Sequence, residues 1–121
     1  EAIRAANLDV EALHALQATD VDFMEPYLCV TDDTHGCDTF ARLLLPPPFP
    51  AEDPFTGSAT GCMAAYLFAN EAIPRRFSAA QGHDLGRPGM ADVEVLGEID
   101  SITGIRVGGS GVVVMRGEVA L

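Results

Sequence analysis

Hydrophobic positions along this chain change period, and each change marks an element. After Asp9, the residues Val10, Leu13 and Leu16 recur at helical spacing, so a short amphipathic helix capped by Asp9 is expected. The segments "YLCVTD", 27–32, and "TFARLLL", 39–45, read as strands. Prolines at 46, 47, 48, 50 and 54 then forbid regular structure until Thr56. From Ser58 to Ala69 there is no polar stripe, which predicts a helix surrounded by protein, with Pro74 as its stop. The runs "FSAAQG", "ADVEVLG", "SITGIRVGG" and "GVVVMRGEVAL" follow, punctuated by glycine. Val93, Val95 and Ile99 fall on one face at period two, and "GVVVM" reads as a buried strand. Strands, one buried helix and more strands give an α+β fold: a curved mixed or antiparallel sheet wrapped around one central helix.

A chain of 121 residues is one domain with a single core, and 48% hydrophobic content fits a folded chain. No apolar run reaches the ~18 residues of a membrane span, and no signal-peptide pattern appears. Because the chain starts at Glu1, it is expected to be processed, trimmed or part of something longer. A formal net charge of −11 with no basic run argues against nucleic acid. Every base is arginine, so a Schiff-base lysine and a phosphate-loop lysine are both excluded. Cys29, Cys37 and Cys62 are an odd, widely spaced set that suits inert thiols in a reducing cytoplasm. His35 and Cys37 are too isolated for a zinc site, so no metal is expected, and His14 and His83 read as surface residues.

Chemistry concentrates in "EDPFTGSATGCMAAYLFANEAIP", 52–74. The first N–H groups of a helix lack intrahelical partners, and its dipole favours an anion there. Thr56 or Ser58 can cap one of those groups, and Gly57 permits a backbone shape or a close ligand approach that a Cβ would block. Gly61 inside the helix is expected to mark close packing. Asp53 beside the helix start suits a ligand's ammonium group, while Glu52 points the other way along an extended segment. An amino acid-like ligand fits such a mouth; capping and helix packing alone would explain the same residues.

The stretch "EDPFTGSATGCMAAYL" resembles the E-D-P-A-T-G-S-A motif of the phenazine-biosynthesis isomerase family (PhzF-like proteins), within the diaminopimelate-epimerase-like fold. "ARLLLP" is similar to the family's R-x-F-x-P lead-in. "QGHDLGRPG", 81–89, is similar to its Q-G-x-x-x-G-R-P loop, and "IRVGGSGVVVMRGEV" to its closing V-x-V-G-G-x-A-V-x-V-x-x-G hairpin. The four matches keep the family's order over most of residues 39–121.

The resemblance implies two similar domains in the family, with the site in the cleft between them and residues 1–121 corresponding to the C-terminal one. It implies that Asp53 contacts substrate and that Gly57 and Ser58, with Thr56, hold the substrate carboxylate. The reaction implied is a cofactor-independent proton shift on a small cyclic amino/carboxylic acid. Its main acid/base glutamate belongs to the N-terminal domain, so the partner implied is that domain or a separate chain, in a hetero- or homo-oligomer. Phe55 replaces the motif's alanine and Leu44 its aromatic. No cysteine stands just before the helix, which disfavours a thiol racemase and leaves Cys62 as a core residue. Phe55, Phe49 and Leu44 are the expected apolar patch at the partner interface. The alternative is a non-catalytic anion or amino-acid-binding module that acts through self-association or a protein partner.

Overall fold

A computed structural model describes residues 1–20, 25–31 and 34–120. Asp32, at the end of the first expected strand, and the terminal Leu121 lie outside the described residues. The chain forms α1 (Ala2–Ala5), α2 (Val10–Gln17), β1 (Tyr27–Val30), β2 (Thr39–Leu44), β3 (Glu52–Asp53), α3 (Gly57–Ala69), β4 (Arg76–Gln81), β5 (Gly89–Glu98) and β6 (Ser101–Gly108). Asp9 caps α2 as its position predicts, accepting the Ala12 N–H at 2.9 Å. Of that helix's apolar stripe, Leu13 is buried and Leu16 is exposed.

The sheet runs β1-β2-β4-β5-β6, with β3 paired to β2. Its pairs are antiparallel except β2–β4, which is parallel and therefore needs a crossover; α3 lies on it. Strand alternation sends Phe77 and Ala79 of β4, Ala91, Val93 and Val95 of β5, and Ala41 of β2 into one core with α3. Near the end of β5 the register shifts between Leu96 and Gly97. There Gly97 has φ +91, and a Cβ would lie 2.2 Å from the Ser101 carbonyl oxygen, so only glycine fits. Beyond this bulge Ile99 leaves the inward face and is exposed, contrary to the period-two reading.

The helix is apolar all round but covered on one side. Thr60, Met63, Ala64, Leu67 and Phe68 are buried at helical spacing, whereas Ser58, Cys62 and Tyr66 are exposed. The curled sheet reaches one face only, and the large side chains there contribute roughly 1.5–3 kcal/mol each on burial. Cys62 is thus not a core residue; Cys29 is exposed as well, and only Cys37 is buried.

On the opposite sheet face, Cys37, Phe40 and Ala80 pack with Ile3 and Val30. Arg42 anchors the N-terminal segment there. It donates to the carbonyls of Ile3, Arg4 (3.2 Å) and Ala6 (3.1 Å), and pairs with Glu52 through two bonds of 2.5 and 3.1 Å.

Three further expectations fail. Regular structure resumes before Thr56, because Glu52 and Asp53 lie between prolines and still pair with Leu44 and Leu43. "GVVVM" forms no strand; Val112, Val113, Val114, Met115 and Val119 are each at least 72% exposed. A β-branched run favours a pleated surface but needs a partner strand to make one, and none among the described residues pairs with it. The patch of Phe55, Phe49 and Leu44 does not form either, since Leu44 is buried and Phe55 is half-buried against the core.

Candidate functional site

Strand pairing decides where the two acids at 52 and 53 point. β3 sets Glu52 opposite Leu44 and Asp53 opposite Leu43, so their side chains leave opposite faces. Glu52 joins Arg42, and Asp53 turns toward the start of α3. After Pro54 and Phe55 the chain reaches Thr56, the N-cap residue, with extended φ/ψ of −115° and 96°.

Thr56 does not cap the helix with its side chain. Its hydroxyl donates to Asp53 Oδ2 at 2.5 Å instead. The first intrahelical bond is made by the Thr60 N–H to the Thr56 carbonyl, at 3.0 Å. The N–H groups of Gly57, Ser58 and Ala59 therefore precede the helical ladder. Ser58, two residues beyond the cap, is exposed and does not cap either. The expectation that Thr56 or Ser58 caps the helix is corrected on this point: the Thr56 hydroxyl donates to the Asp53 carboxylate, and its oxygen accepts from the Gln81 amide instead of from a first-turn N–H.

Gly57 has no positive φ, and a Cβ placed on it would meet nothing within 4 Å, so its value there is open space rather than backbone shape. At Gly61 a Cβ would make ordinary contact with Ile105 at 4.0 Å, less than the close packing expected.

Behind the mouth stands Gln81, the inward residue that ends β4, 1% exposed. Its amide nitrogen donates to the Asp53 carbonyl (2.8 Å) and the Thr56 hydroxyl oxygen (3.2 Å). Its oxygen accepts from the Thr56 N–H and the Tyr27 hydroxyl, both at 3.1 Å. Tyr27 also lies 3.0 Å from the Thr60 hydroxyl, which itself donates to the Thr56 carbonyl at 2.8 Å. Burial pushes the Tyr27 phenol up to about 12; the Thr60 hydrogen bond opposes the rise, and Cys29 and Asp53 add to it. Gly82 makes this approach possible. At φ +79 it passes so close to Pro54 that a Cβ would lie 2.4 Å from the Pro54 carbonyl oxygen.

The mouth opens beside a groove of about 570 Å³, bounded by Thr56, Ser58, Cys62 and Tyr66 from the helix side and by Tyr27 and Cys29 from β1. On its other flank the Phe55 ring lies over Gly89, within a second cavity of about 660 Å³. The expected residues Asp53, Thr56, Gly57 and Ser58 therefore gather at one helix mouth.

The histidines do not join them. His35 and His83 stack at 4.1 Å beside Phe40, on the opposite sheet face, where Arg4 bonds both His35 (3.0 Å) and Asp84 (3.1 Å). Among the described residues no group of three or more His, Cys, Asp or Glu is placed to hold a metal. Also among them, no helix is long and apolar enough to cross a membrane.

Sequence reasoning passed over Tyr27, Thr60 and Gln81. The signal for Gln81 was present: residues 77, 79 and 81 share a face, and a glutamine on the face of Phe77 and Ala79 demands buried partners.

Comparison with known proteins gives a family match over residues 3–117, to the model described as phenazine biosynthesis-like protein. An uncharacterized isomerase of Clostridium acetobutylicum is 31% identical over 97 residues, covering 76% of this chain and 32% of that protein. An uncharacterized isomerase of Deinococcus radiodurans is 39% identical over 71 residues, 54% of this chain and 23% of that one. The trans-2,3-dihydro-3-hydroxyanthranilate isomerase of Pseudomonas chlororaphis is 32% identical over 83 residues, 67% of this chain and 30% of the relative. The chain thus spans about a third or less of the length of these curated relatives.

Proposed function

The chain belongs to the phenazine biosynthesis-like protein family, and from that premise we propose that it is the C-terminal half or subunit of a cytoplasmic, cofactor-independent isomerase. Its substrate is a small cyclic amino/carboxylic acid on which a proton moves between carbons. The N–H groups of Gly57 and Ser58 at the helix mouth receive the substrate carboxylate, where the helix dipole favours negative charge. Asp53, fixed by the Thr56 hydroxyl, pairs with the substrate amine and supports charge in the transition state. The proton is taken from a C–H bond by a carboxylate base and returned by the same group, now an acid, at another carbon. That base comes from an N-terminal-type domain, in this polypeptide's full form or in a partner chain.

The observation that carries the reading is the 2.5 Å contact of Asp53 with an N-cap threonine whose side chain does not cap its helix. Support for a partner comes from the uncovered face of α3, where Tyr66 is 69% exposed, and from the exposed valines after β6. Titration with anthranilate, an amino-bearing cyclic acid, tests the site by NMR. Saturable shifts at the Gly57 and Ser58 amides are expected, and shifts confined to other surfaces would overturn the reading.

A further inference from the structure

We propose that Gln81 is the positioning residue of this site: its buried amide clamps the Asp53–Thr56 turn and aims the Thr56 hydroxyl at Asp53 rather than at the helix. A primary amide has two N–H donors and an oxygen with two lone pairs. Gln81 uses all four, on the Asp53 carbonyl, the Thr56 hydroxyl oxygen, the Thr56 N–H and the Tyr27 hydroxyl. The amide orientation follows from these partners, because the reverse placement would set NH₂ against the Thr56 N–H. Since the Thr56 oxygen accepts from Gln81, its single proton is left for Asp53, 2.5 Å away.

Two consequences follow. The Asp53 carboxylate gains a fixed hydrogen-bond partner, and the N-cap hydroxyl is withheld from the first-turn amides. Gln81 thereby keeps the helix mouth open from 25 residues further along the chain. A purely structural glutamine would hold the turn without any effect on which group the Thr56 hydroxyl serves.

Amide hydrogen exchange on the chain decides this without any ligand. In Gln81→Met, which keeps the volume, the released Thr56 hydroxyl turns to cap the helix and exchange at Ser58 or Ala59 slows about fivefold, the effect of one threonine cap. In Tyr27→Phe the clamp on the turn persists and those amides are unchanged. Faster or unchanged exchange in Gln81→Met, or equal slowing in both variants, overturns the proposal. If Gln81→Met does not fold, Thr56→Val decides: Ser58 and Ala59 should exchange as in the wild type, and acceleration would show that Thr56 already caps. A final arm rests on the proposed function, with anthranilate binding at the mouth about fivefold weaker in Gln81→Met. Wild-type protein that does not bind anthranilate would sink the functional reading and leave the exchange result to judge Gln81.

Discussion

The Thr56 hydroxyl lies 2.5 Å from the Asp53 carboxylate, and it serves that carboxylate instead of the helix it begins. In the proposed assembly with an N-terminal-type domain, Asp53→Asn should therefore do more harm than Ser58→Ala. The first removes the fixed charge and should lower kcat; the second removes one exposed hydroxyl and should raise KM, by about 1 kcal/mol of binding. Steady-state kinetics of both variants checks this. Equal, negligible effects would reduce the helix mouth to packing.

Stability should fall in alkali because of Tyr27. Its phenol is raised from 10.0 to about 12 in the folded chain, so the folded state holds that proton more tightly. The contribution is fully present below pH 10 and disappears as pH rises through 12, amounting to about 3 kcal/mol. Urea midpoints from pH 9 to 12 should drop more steeply for the wild type than for Tyr27→Phe. Parallel profiles would contradict this.

Arg42 should be the largest single electrostatic contributor to the fold. It is 9% exposed, forks onto Glu52 and ties down three carbonyls of the N-terminal segment. Arg42→Ala should cost about 3 kcal/mol, since it strands the partly buried Glu52 carboxylate and frees the segment. Arg42→Lys should recover only part, because an ammonium cannot reproduce the fork. Denaturant melts of the two variants measure the difference.

Much of this architecture was legible locally. The Asp9 cap, the strand that leads into the proline cluster and the inward valines of β5 each follow from residues within a few positions of one another. The gathering of Asp53, Thr56, Gly57 and Ser58 was legible for the same reason. What escaped depended on distant partners. Composition said that α3 is apolar but not which side the sheet would cover, so Cys62 was misplaced. The partners of the Thr56 hydroxyl include Gln81, far along the chain. The "GVVVM" run had the right propensity for a strand, yet a strand exists only where another edge receives it.

The uncovered helix face and the exposed valines should make the isolated chain associate. Sedimentation velocity should show self-association, or a stable complex with an N-terminal-type domain that buries at least ~1,000 Å². A soluble monomer at high micromolar concentration that binds no hydrophobic dye would contradict this.

The central claim, that half of an isomerase site resides here, is tested most directly by complementation. The chain is mixed with a complementary N-terminal-type domain in D₂O, and conversion of small cyclic amino/carboxylic acids is followed by NMR, with each component alone as control. The account predicts turnover and deuterium exchange only in the mixture, abolished by Asp53→Asn. Robust turnover by this chain alone, verified as a monomer, would contradict it.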